Sequence, residues 1–260
     1  MQYLDWITAL EPKVLSWFSL FIAGIALVYT VFSKRRELAI SVRNDLHDCI
    51  LKLSENNVQF ENLRRELGED FYKVQHLRER NALIDQRYLF LARAVYLIER
   101  YRHRVRIDST SLDFLLIGAA LADRGEFSGS LRFYKRSVRL AVNERMKGTA
   151  LRVYGRALIA SGSARAGRRK MLKSVAIFEK LSQRVGYERE QMISEIIDTY
   201  QRLIRIETQH EILQHATSDL AIAEKWLEQV QDKGRRKTLG EVLKARESEL
   251  AGLGLLCKRR

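Results

Sequence analysis

Between Val14 and Ser33 the chain reads VLSWFSLFIAGIALVYTVFS, with no charged side chain, and Lys34-Arg35-Arg36 follows at once. About 20 uncharged, mostly apolar residues is the length a helix needs to cross a bilayer. In lipid a helix is also one of the few shapes that satisfies its own backbone. Asp5, Glu11 and Lys13 precede the run and the basic triplet closes it. Positive charge stays on the cytoplasmic side, so the expectation is an N-terminus outside and the larger C-terminal part in the cytoplasm. A cleavable signal peptide fits less well, because it needs a basic leader, a shorter apolar stretch and a small-x-small cleavage site. Pro12, the only proline, suits the first turn of such a helix. Trp6, Trp17 and Tyr29 suit the two interfaces.

The rest of the chain is written for helix. Leu, Ala, Arg, Glu, Lys and Ile dominate, and one proline with 14 glycines is too few for a loop-rich or all-β protein. Cys49 and Cys257 stand far apart and form neither a metal-like nor a redox pair, which suits a reducing compartment. The net charge of +14 is concentrated: residues 101–186 hold 19 basic and 6 acidic side chains, while the segments on either side nearly balance. Such a block points to an anionic partner, against the alternative of a plain solvated face.

From Ala39 an apolar position recurs every seven residues. One set is Ala39, Leu46, Leu53, Phe60, Leu67, Val74, Asn81, Tyr88 and Val95; the other is Val42, Cys49, Asn56, Leu63, Asp70, Leu77, Ile84, Leu91 and Ile98. This is the signature of helices packed along a seam. Gly68-Glu69-Asp70 interrupts it, as glycine does just past a helix end. The expectation is a hairpin, with one helix from the membrane to about Leu67 and a second from about Phe71 to Tyr101. A parallel coiled-coil dimer is the alternative.

Residues Phe114 to Leu140 read as two helices joined at Asp123-Arg124-Gly125-Glu126. Phe114, Ile117-Gly118 and Leu121 on the first helix, then Gly125, Phe127, Ser130, Tyr134 and Ser137, resemble the tetratricopeptide repeat, a helix–turn–helix unit of about 34 residues. The pattern returns 37 residues later as Leu151, Tyr154-Gly155, Leu158, Gly162, Gly167, Met171 and Ser174, with Ala164 where the aromatic would stand. The extra residues are expected to lengthen the loop around Asn143 to Lys147. A third pair, about Tyr187–Ile206 and Ile212–Gln231, and a last helix from about Thr238 to Leu250 would complete the stack, because two repeats alone do not bury a continuous core. The resulting fold class is all-α: a transmembrane helix (14–33) after a short N-terminus (1–13), a helical stalk or hairpin (34–106), then a tetratricopeptide-like solenoid (107–260).

The resemblance implies a binding role on a groove lined by first helices. The groove-facing positions map to Leu115, Ala119, Ala122 and Asp123, and to Arg152, Arg156, Ile159 and Ala160. Arg152 and Arg156 share one helical face and could fork onto carboxylates or phosphates. By the same geometry two basic stripes lie on the outer side: Arg132, Arg136 and Arg139, then Arg165, Arg168, Arg169 and Lys173. The run Arg100-Tyr101-Arg102-His103-Arg104-Val105-Arg106 interleaves aromatics with arginine, as single-strand binders do.

No catalytic residue, cofactor site or metal site is expected. His210 and His215 are five apart, about 140° around a helix, so they do not reproduce the zinc-protease spacing. No phosphate loop, nucleophile elbow or dinucleotide fingerprint occurs. The functional expectation is a single-pass protein of the bacterial inner membrane whose cytoplasmic array docks an acidic protein or peptide. A membrane-tethered nucleic-acid binder is the second reading. A homo-oligomeric membrane effector, assembled through the seam and the Ser19-x-x-x-Ala23 pair, is the third.

Overall fold

A computed structural model describes residues 12–73, 77–101, 109–183, 186–209 and 215–253. Among the described residues the chain is all-helical, without a strand. The helices are α1 (Pro12–Leu67), α2 (Leu77–Tyr101), α3 (Ser111–Asp123), α4 (Phe127–Leu140), α5 (Glu144–Ala160), α6 (Ala164–Ser182), α7 (Tyr187–Gln209), α8 (Ala216–Glu228) and α9 (Lys233–Gly252). A short 3-10 turn, Gly68–Tyr72, ends α1.

Helix α1 has 56 residues, about 84 Å at 1.5 Å per residue. Its first part, near the N-terminus, is long and apolar enough to cross a membrane, and none of that window is buried against the rest of the chain. Neither proline nor glycine interrupts α1 after Gly24, so the apolar part and the packed part are one rod. Packing begins at Ala39. Every heptad position from Ala39 to Leu67 is buried or half-buried, with Val42, Leu46, Cys49, Leu53 and Asn56 buried.

That seam is filled by α2, folded back antiparallel after Gly68. Glycine stands there because the backbone takes φ 52°, which costs other residues strain. The Asn56 side-chain amide donates to the Leu83 carbonyl at 2.9 Å, Lys52 lies over the Phe90 ring and Arg93 reaches Asp45 at 3.4 Å. Of the expected second-strand positions, Leu91 and Ile98 are buried and Asn81 is exposed. The 3-10 turn adds Phe71, buried edge-on to Phe60 at 5.2 Å between centroids.

From α1 to α9 each helix packs on the next, and α1–α3, α3–α5, α5–α7 and α7–α9 also touch. The odd helices therefore form one continuous layer, and each even helix packs against the odd helices before and after it. The hairpin α1–α2 is no separate stalk: Leu46, Leu53, Leu91 and Ile98 share a core with Phe114, Ile117, Leu121 and Phe133 of α3 and α4.

The hairpins α3–α4 and α5–α6 repeat at 37 residues in their contacts as well as their letters. Gly125 (φ 77°) and Gly162 (φ 88°) end α3 and α5 in the left-handed region. At both turns the glycine N–H bonds three residues back and the following N–H bonds five back, Glu126 to Leu121 at 3.0 Å and Ser163 to Leu158 at 2.8 Å. A Cβ at Gly118 would sit 2.8 Å from the Tyr134 ring, and one at Gly155 would sit 2.6 Å from Met171 and 2.7 Å from the Gly167 carbonyl. The two helices of each hairpin can approach only because those positions lack side chains.

Several boundaries differ from the sequence expectation. The extra residues of the second unit extend α5 at its start rather than lengthening a loop, because Asn143 caps the helix, accepting from Met146 N–H at 2.8 Å. Helix α9 begins at Lys233, five residues early, since Asp232 accepts from Arg235 N–H at 2.7 Å. Residues 210–214, including His210, and Cys257 lie outside the described residues, as do 102–108 of the arginine–aromatic run.

Candidate functional site

The expected groove pair separates on inspection of its partners. Arg152, 12% exposed, lies 2.6 Å from Glu195 and 2.9 Å from Asp198, both on α7. Its guanidinium also lies over the Phe178 ring. Glu195 and Asp198 are one turn apart and present two carboxylates to one fork. Arg152 thus clamps α5 to α7 rather than facing an open groove. Arg156, one turn on, is exposed and has no ion pair among the described residues. Asp123 is held by Arg87 of α2 at 2.7 Å, and Ala119 is half-buried on α3.

The outer stripe on α4 is partly engaged. Arg132 bridges to Glu99 of α2 at 3.1 Å, both well exposed. Arg136 lies over the Phe114 ring, 5.7 Å from its centre. Arg139 is exposed and unpaired among the described residues.

On α6 the stripe splits in two. Arg165, Arg169 and Lys173 are exposed with no ion pair among the described residues. Arg168, expected beside them, turns the other way. It makes a forked pair with Asp219 of α8 at 2.7 and 2.9 Å and meets Glu207 of α7 at 2.5 Å. Both carboxylates are 2% exposed. Two buried carboxylates need a cation, and position 168 shares a side of α6 with Met171 and Val175, three and seven residues on, which pack against α7.

This triad holds one cation and two acids. Burial works against the Arg168 charge, but its bonds to Asp219 and Glu207 outweigh it and hold the guanidinium protonated above its ordinary value. Burial pushes the Glu207 carboxyl up, against the pull of Arg168. The two directions are compatible: Asp219 takes the fork and satisfies Arg168, leaving Glu207 as the surplus acid. Its second oxygen, Oε2, is buried without a hydrogen-bond partner among the described residues. No local pattern marks the triad, since the two acids lie 39 and 51 residues beyond Arg168.

The outward side of α6 carries Arg165, Arg169 and Lys173 together with Leu172 and Ala176 as one exposed face. Leu172 and Ala176 form a short exposed apolar strip inside a basic frame. Helices α4 and α6 together carry ten lysines and arginines against one acid, Glu179. The odd helices α3 and α7 carry more acids than bases. The arrangement offers an anion-binding surface with an apolar strip. No group of three or more His, Cys, Asp or Glu able to hold a metal occurs among the described residues. Comparison of the chain with protein families, with curated proteins and with solved structures finds no match.

Proposed function

We propose that the chain is a single-pass protein of the bacterial inner membrane whose cytoplasmic, tetratricopeptide-like array docks an acidic protein partner. The observation that carries the reading is the outer face of α6, where Arg165, Arg169 and Lys173 stand exposed and unpaired around Leu172 and Ala176 among the described residues. Arg152 and Arg168, in contrast, are answered by carboxylates within the chain. A basic frame steers an acidic partner, and an apolar centre gives the contact its affinity. Support for the tetratricopeptide-like reading comes from the sequential stacking of the helices, the contacts between alternate odd helices, and the 37-residue recurrence of the Gly118–Tyr134 and Gly155–Met171 contacts. Support for the membrane anchor comes from the unburied apolar part of α1 and the basic triplet after it.

Docking thus moves from the Arg152–Arg156 pair, of which Arg156 is exposed and without an ion pair among the described residues, to α6. A protein is favoured over nucleic acid because single-strand binders stack bases on exposed aromatics, and the exposed face of α6 has none. The test is cross-linked co-purification of the full chain from membranes, with and without nuclease, beside the R165E/R169E/K173E variant. The expected result is a defined protein that survives nuclease and is lost in the variant. Recovery of nucleic acid alone, or a protein partner indifferent to the three reversals, would overturn the reading.

A further inference from the structure

The rod α1 fixes where the array stands relative to the bilayer. The inference rests on reading α1 as the membrane span. From Ser33, the last residue of the apolar run, to Val42, the first fully buried one, is nine residues, about 14 Å of helix. The headgroup layer occupies about 5–7 Å of that on one side of the bilayer. The array therefore begins within an arginine's reach of the lipid surface, with no linker between.

The register of the following helices shows which residues occupy that edge. Arg93 against Asp45 and Asn56 against Leu83 set α2 antiparallel to α1, so Tyr101 returns to the level of Ala39. The Arg87–Asp123 pair puts the end of α3 level with the middle of α2, so Ser111 lies about 18 Å nearer the membrane. Ser111 donates its hydroxyl to the Ser137 carbonyl at 2.8 Å, which brings the end of α4 to the same edge. The turn Ala141-Val142-Asn143 lies beyond it.

This edge is apolar and basic together. Val142 is 83% exposed, more than Trp17 (72%) or Tyr29 (74%) in the apolar part of α1. Leu112 and Leu140 beside it are also exposed. Arg139 and Arg145 flank the turn, exposed and without an ion pair among the described residues. An exposed apolar tip between two cations is costly in water and suits a bilayer interface. We propose that the turn between α4 and α5 inserts Val142 among anionic lipid headgroups of the bilayer that α1 crosses, with Arg139 and Arg145 on the phosphates. The array is thereby held at two points, and the α6 face is presented at a fixed height and azimuth. A protein seated on this edge would have to displace it from the surface on which its own anchor places it.

The test uses the full chain in vesicles of phosphatidylcholine, with or without phosphatidylglycerol. A fluorophore is placed by V142C or, as the far-edge control, by S163C, each with C257S. Ser163 is exposed and makes no side-chain cap bond. Headgroup nitroxide lipids report contact. Strong quenching at 142 but not at 163, deepened by phosphatidylglycerol, is the expected result. R139Q and R145Q should each lower the docked-to-undocked ratio about fivefold, from about 1 kcal/mol per cation near an anionic surface. A retained chain with position 142 unquenched, or equal quenching at 142 and 163, would overturn the edge alone. Release of the chain by alkaline carbonate would overturn the span reading and the edge with it.

Discussion

The guanidinium of Arg152 lies 2.9 Å from the carboxylate of Asp198, joining α5 to α7 across 46 residues of sequence. The bond ties two odd helices directly and makes Arg152 part of the scaffold. Arg152→Ala leaves Glu195 without its cation while Asp198 keeps Arg202 at 2.8 Å, so a loss of about 1–2 kcal/mol is expected. Arg156→Ala should stay within about 0.5 kcal/mol of the parent, as exposed substitutions do. Thermal and denaturant unfolding in mild detergent checks both; equal effects would place the two arginines on one open face.

Gly155→Ala tests the close approach of α5 and α6. The added Cβ meets the Gly167 carbonyl at 2.7 Å and the Met171 N–H nitrogen at 3.0 Å, both backbone atoms. A cost of about 1–3 kcal/mol follows from overpacking. Gly118→Ala meets the buried Tyr134 ring at 2.8 Å, a side chain rather than backbone, so it should cost less. The same unfolding measurement ranks the pair.

Replacing Glu207 by Gln tests the triad and carries a pH signature. The folded carboxyl is pushed up by burial, so its contribution to stability is full below about pH 4.3, the ordinary glutamate value. It is lost as pH rises through the higher folded value. Glu207→Gln removes that loss, so its stability relative to the parent should rise with pH across this window and be neutral or favourable at pH 7. Asp219→Asn, in contrast, breaks the charged fork but leaves Arg168 bonded to Glu207, so it should cost about 1.5–3 kcal/mol. Unfolding curves over a pH series decide it; a parallel pH dependence for parent and E207Q would contradict the surplus-acid assignment.

Cys49 distinguishes the hairpin from the parallel dimer. It is buried in the α1–α2 seam, and burial raises its thiol pKa. In a C257S background, oxidation should give no Cys49-linked dimer, and thiol labelling should proceed only when the hairpin opens. A parallel coiled coil would set two copies of Cys49 face to face and give a rapid cross-link.

Local patterns were legible and distant pairings were not. The apolar run, the seam from Ala39 to Leu67, and the turns at Gly68, Gly125 and Gly162 follow from helix period and from backbone conformations that glycine favours. These are properties of a few neighbouring residues. The seam also contained its own answer about partners, since Gly68 interrupts it midway. The destinations of Arg152 and Arg168 depend on carboxylates at 195, 198, 207 and 219, which no local pattern connects to them. An arginine stripe at helical spacing reads as one open face, yet Arg168 turns inward while Arg165 and Arg169 stay outside. The extension of α5 was hidden for a different reason: Asn143 reads equally as loop or as cap, and the preceding helix decides.

The outer face of α6 is the surface on which partner docking rests. A photo-cross-linking side chain at Leu172, inside the basic frame, should capture one defined protein in intact membranes. Combining it with R165E/R169E/K173E should abolish that adduct, while the same probe at Ser163 should give none. No adduct at 172, or one that persists through the three charge reversals, would contradict the claim that this face docks an acidic partner.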